Sequence, residues 1–101
     1  MDIGIRVEQM INNNGNPAAN QFIIYAEGKK VFQSYDSIIA IVDYVNKIIT
    51  LGKDWDYSRT TDKHRNIFFN DYVNMPDLAT TKGIRNALKN GLSNGWKIEI
   101  I

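Results

Sequence analysis

The sequence changes its period at Gly52. Before it, apolar residues recur at every second position or in short β-branched runs. After it, they recur at three- and four-residue spacing. A period of two buries one face of a strand, and a period near 3.6 buries one stripe of a helix. With 101 residues there is room for one core, so residues 1–101 read as a single α+β domain.

Ile3, Ile5 and Val7 fall on one face of a half-buried strand over Asp2–Glu8, and the Asn12–Pro17 segment that follows is turn chemistry. Phe22–Ala26 and Lys30–Tyr35 read as strands joined by a hairpin turn at Glu27-Gly28-Lys29, with a bend or bulge at Asp36-Ser37. Ser37–Val42 and Lys47–Leu51 form a second hairpin if read as strands. The competing reading is one helix over 36–48, because Ile38, Ile41, Val42 and Val45 also sit at helical spacing. The density of Ile and Val favours strands, since branching at Cβ restricts χ1 in a helix.

Beyond Gly52, the hydroxyls of Ser58, Thr60 and Thr61 are candidate caps for a helix from Thr61 to Val73, with His64, Ile67, Phe68 and Tyr72 on one stripe. Pro76 stops it. A second helix starts at Thr80 or Thr81 and runs to Asn90, its apolar face formed by Ile84, Ala87 and Leu88 and its end marked by Gly91. Trp96–Ile100 alternates as a last strand. The expected architecture is a five- or six-stranded, mainly antiparallel sheet with two helices packed on one face.

The formal charge of +1 leaves no global field for nucleic acid, so any electrostatic recognition is local. The absence of cysteine removes disulfides and thiolate metal sites. No segment resembles a signal peptide, and the longest apolar stretch, Ile38–Val42, is far too short to span a bilayer. The expectation is a protein of the cytoplasm without a membrane partner.

The densest run of charge and aromatic residues is Leu51–Phe69. His64, the single imidazole, lies near Asp54, Asp56 and Asp62, but a lone histidine beside a helix start is usually structural. Carboxylates without HExxH or EF-hand spacing make no metal shell, and the isolated glycines make no phosphate loop. The expectation is therefore a non-enzymatic protein without a cofactor. Asp54, Trp55, Asp56, Tyr57, Arg59, Lys63, His64 and Arg65 are the candidate partner-binding residues, because Trp, Tyr and Arg anchor most interface hot spots. Trp55 and Tyr57 read equally well as core. Arg59, Lys63 and Arg65 are the expected exposed patch. Lys82, Arg85 and Lys89 share a face of the second helix and form a secondary basic patch suited to phosphates, with Tyr35, Trp55 and Tyr57 available to stack on bases.

Phe32-Gln33-Ser34-Tyr35-Asp36-Ser37-Ile38-Ile39-Ala40, followed by Leu51-Gly52-Lys53-Asp54-Trp55-Asp56-Tyr57-Ser58-Arg59-Thr60-Thr61-Asp62-Lys63-His64, resembles a pattern in short proteins of phages and other mobile elements of low-GC Gram-positive bacteria. The likeness spans Phe22 to Phe69 and loosens toward Gly91. The asparagine-rich loop at 12–20 and the closing strand at 96–101 depart from the pattern. The resemblance implies a setting rather than a chemistry. Small cysteine-free proteins of this kind, anti-CRISPR proteins among them, work by covering a surface of a host defence protein such as a Cas effector. A nucleic-acid accessory protein and a sponge for a small defence signal are the alternatives, and either a monomer or a homodimer fits the strand-rich pattern.

Overall fold

The computed structural model describes residues 4–101. Six strands, β1 (Arg6–Ile11), β2 (Pro17–Ala26), β3 (Lys29–Ser34), β4 (Ser37–Asp43), β5 (Ile48–Leu51) and β6 (Lys97–Ile100), form one sheet in sequence order. The first five pair antiparallel, and β6 adds parallel to β5. Helix α1 (Arg59–Ile67) continues into a widened π turn at Phe68–Tyr72, and a short 3₁₀ turn at Pro76–Leu78 leads to α2 (Thr81–Asn90). This is the α+β layer pair expected from the periodicity. The hairpin reading of residues 36–48 holds, and the helical one does not.

Each element starts where local chemistry puts it. Pro17 opens β2, the strand position at which a missing N–H costs least. Ser58 caps α1 by accepting from Thr61 N–H at 3.1 Å, and Thr80 caps α2 by accepting from Gly83 N–H at 2.9 Å. Gly91, at φ +80, ends α2.

The core lies between the inner sheet face and the helices. Met10, Ile23, Phe32, Ala40, Ile49 and Leu51 come from the strands, and Ile67, Phe68, Phe69, Leu78 and Ile84 close over them. Phe32 and Phe68 stack at 5.7 Å between centroids, and Phe68 meets Phe69 edge-on at 5.3 Å. Burying each such side chain contributes roughly 1.5–3 kcal/mol. Lys30 Nζ donates to Tyr72 O at 2.8 Å and Ile11 N–H donates to the Tyr72 hydroxyl at 2.9 Å, tying the π turn to the sheet.

The first strand departs from expectation. It begins at Arg6, Ile3 lies outside the described residues, and Ile5 and Val7 are 57% and 58% exposed rather than half-buried. Their face is the one without helices. The inner face of β1 is instead anchored by Met10, which is fully buried. No helix among the described residues is long and apolar enough to cross a membrane.

Candidate functional site

At the sheet end where β3 turns into β4, the chain leaves a cleft of about 480 Å³. One wall is the β3–β4 turn, Ser34 to Ser37. The other is Asp54, Tyr57 and the start of α1 at Ser58, Thr60 and Thr61. Both walls are fixed by backbone geometry. Tyr35 occupies the first position of a two-residue hairpin turn at φ +53, where hairpins usually place glycine. Its N–H is held by Asn20 O at 2.7 Å. A bulky residue in the left-handed region is a strained choice, and this one leaves the ring 58% exposed.

Gly52 sets the opposite wall. Its N–H donates to Ile39 O at 2.9 Å, and a Cβ there would lie 1.9 Å from Ile38 O, so only glycine allows this close approach. The tight turns that follow, Trp55 N–H to Gly52 O at 3.1 Å and Tyr57 N–H to Asp54 O at 3.2 Å, send Trp55 inward and Tyr57 outward. Tyr57 is 76% exposed. Ser37 Oγ donates to Asp54 Oδ2 at 3.2 Å, bridging the two walls. The lining holds two carboxylates, Asp36 and Asp54, and no basic side chain. The buried Ser34 hydroxyl beneath them has no hydrogen-bond partner.

The sequence candidates separate into two groups. Asp54 and Tyr57 line the cleft, Arg59 is exposed at the start of α1, and Lys63 borders a second depression with Asn66, Asn70 and Asp71. Trp55, His64 and Arg65 are buried. Arg65 was expected in an exposed patch and is instead completely inaccessible. Its guanidinium donates to Trp55 O at 2.7 Å, Asp62 Oδ1 at 3.0 Å, Asn66 Oδ1 at 3.0 Å and Thr81 Oγ1 at 2.6 Å. A buried cation tolerates that position only because it is paired and hydrogen-bonded. His64 is likewise structural in its contacts: its Nδ1 donates to Thr60 O at 2.8 Å.

Trp55 resolves as core. The guanidinium groups of Arg65 and Arg85 lie 5.4 and 5.3 Å from its ring centroid. Arg85 also pairs with Asp56. Its charge is therefore partly offset, and the basic patch expected on α2 keeps only Lys82 and Lys89 as unengaged neighbours in that pairing scheme. Asp56 and Asp62 diverge electrostatically. A hydrogen bond from Asp62, with Arg85 and Arg65 nearby, holds Asp56 below the usual carboxylate range, whereas burial raises Asp62.

Of the lining, sequence reasoning selected Asp54 and Tyr57 and offered Tyr35 for stacking; it read Ser58, Thr60 and Thr61 as caps and did not select Ser34, Asp36, Ser37 or Ile39. The available signal was Asp36-Ser37, which reads as a bend or bulge; the structure instead ends β3 at Ser34 and turns the chain at Tyr35-Asp36. Among the described residues, no group of three or more His, Cys, Asp or Glu side chains is placed to hold a metal ion.

No curated protein and no solved structure matches the chain. Residues 5–86 match the family described as Family of unknown function (DUF8033), and both walls of the cleft fall inside that range. The chain belongs to the DUF8033 family.

Proposed function

We propose that this protein is a non-enzymatic binding protein that occupies a surface of another protein through the cleft between Tyr35 and Tyr57. The observation that carries the reading is the pair of outward tyrosines, one held at a strained backbone angle, framing two carboxylates. Tyrosine supplies large contact area at low entropic cost and anchors interfaces. Asp36 and Asp54 suit an arginine or lysine from the partner, with the phenol rings beside its cationic head.

A nucleic-acid backbone or a phosphorylated signal molecule would meet like charge there. Proteins that grip nucleic acid carry arginine and lysine in their channels, and such a channel is the partner surface this cleft complements. The finer reading is stoichiometric inhibition of a host defence effector, a Cas nuclease being the case implied by the likeness to phage and mobile-element proteins. Occupying a channel requires no turnover.

The test is capture of a partner from host lysate by the tagged protein, with half the sample treated with nuclease, alongside phage restriction in cells carrying the defence system. Retention of a partner after nuclease, its loss with Asp36→Lys/Asp54→Lys, and relief of restriction are the expected results. Loss of the partner on nuclease treatment would move the assignment to nucleic acid, and unaffected restriction would remove the inhibitor reading.

A further inference from the structure

Among the described residues, no element covers the outer face of the sheet, yet its centre is apolar. Val7, Ile24, Val31 and Ile41 are direct cross-strand neighbours in one row. Paired residues point to the same side, so the row runs unbroken across four strands. In the next row toward the turn end, Phe22 and Ile38 lie on either side of Gln33, and Ile38 is itself 39% exposed. An antiparallel sheet that faces water ordinarily alternates apolar inside with polar outside. Here the middle of that outer face, Ile24, Val31 and Ile41, is apolar, and polar residues (Lys29, Gln33, Asp43) lie to either side of it on β3 and β4.

We infer that a second copy of this chain covers this face, forming a twofold sheet-on-sheet sandwich. Three observations favour a copy over other occupants. First, the charges are confined to the rim and balanced. Lys29 lies opposite Asp43 in the register, and Lys97 and Glu99 sit on β6. Such a rim offers no net field to a nucleic acid or an anionic membrane, but a twofold rotation can place each sign against the other.

Second, the edges are poor places for a copy to add. β6 is four residues long with Lys97 and Glu99 on it, and β1 carries a register irregularity between Gln9 and Ile11. Short, charged or bulged edges resist strand addition. Third, the size fits. Six strands span about 24 Å at ordinary spacing, within a molecule of 36 × 35 × 22 Å. Strands of about six residues are roughly 20 Å long, so the face covers roughly 500 Å² in projection, at the weak end of the interface range. The dimer should therefore dissociate on dilution. In this arrangement the sheets stack about 10 Å apart, and both tyrosine-lined clefts stay free on the helix side.

The absence of cysteine in the chain permits a clean test. Sedimentation over a dilution series should give a mass near twice 11.6 kDa at high concentration, falling toward 11.6 kDa on dilution. Val31→Lys, at the centre of the row, should raise the dissociation constant at least tenfold while leaving the circular dichroism spectrum unchanged. A Val31→Cys variant should be cross-linked to a dimer by a short bis-maleimide, which spans the gap between stacked sheets that a direct disulfide does not, and Lys63→Cys on the helix side should not. A monomer at every concentration, with no cross-link at position 31, overturns the inference. So does a dimer that Val31→Lys leaves intact in a folded protein, which would place the contact on an edge. A monomeric protein that binds anionic or neutral vesicles, lost with Val31→Lys, assigns the face to lipid instead.

Discussion

Replacing Arg65 with methionine isolates what the buried guanidinium does, because methionine keeps most of the side-chain length while removing charge and donors. Four acceptors lose their donor: the buried Trp55 carbonyl, Asp62, Asn66 and Thr81. Asp62 and Asp56, at 3.0 and 4.0 Å from the guanidinium, lose a countercharge. Removing one partner of a buried pair costs about 3–5 kcal/mol. The two carboxylates are 24% and 25% exposed and recover some solvation, so the lower end, about 3 kcal/mol, applies. For a domain of this size that lowers the melting temperature by roughly 12–24 °C. Urea unfolding with matched thermal melts measures it directly. Asp62→Asn in the same background should return part of the loss, with a coupling of about 0.5–3 kcal/mol. Arg65→Lys should not rescue, since an ammonium lacks the planar fork that reaches four acceptors at once. An Arg65→Met variant within 1 kcal/mol of the parent, on the scale of an ordinary surface substitution, would show that Arg65 is not the hub joining Trp55, α1 and α2.

Gly83→Ala should destabilise although alanine favours an exposed helix by about 1 kcal/mol, because its Cβ would fall 2.0 Å from Asp77 O. Thermal melts check the sign. Tyr35→Asn should hold or raise stability by up to about 1 kcal/mol, since asparagine tolerates the left-handed region, while partner capture in the pull-down falls. A destabilised Tyr35→Asn would mean that the ring packs in a way its exposure does not show. The Tyr25 phenol is pushed up to about 12 by burial and by its hydrogen bond to Glu8. Its unfolded counterpart ionises near 10, so folding stability should fall as pH rises from 10 through 12. Tyr25→Phe should remove that slope, and an unchanged slope would assign it elsewhere.

Local periodicity made most of the elements legible, and long-range partners decided what was not. The β2–β3 and β4–β5 hairpins, the Thr80 cap and the end of α2 at Gly91 all depend on residues within a few positions of each other. By contrast, the alternation Ile5-Arg6-Val7 reads the same whichever side of the sheet receives the helices. A cover that arrives more than fifty residues later in the chain settles it. Arg65 shows the same limit in charge. Its acceptors include Trp55, ten residues earlier, and Thr81, sixteen later, so no window around Arg65 reveals that a cation is paired there.

The reasoning that charged residues stay outside failed because it weighs each residue alone, whereas burial of a charge is a property of a constellation. Asp56, paired with Arg85 across twenty-nine residues, engages one of the three cations that helical spacing had grouped. The cleft sits between these two limits. Tyr57 and Asp54 were visible in a dense motif, but the facing turn was visible only as a bend or bulge. A turn's length can be read locally, and the surface it helps to enclose cannot. Tyr35 at φ +53 is therefore the informative position of the site: an ordinary turn residue would be cheaper for folding, and the proposed contact with a partner is the reading under which that cost has a use.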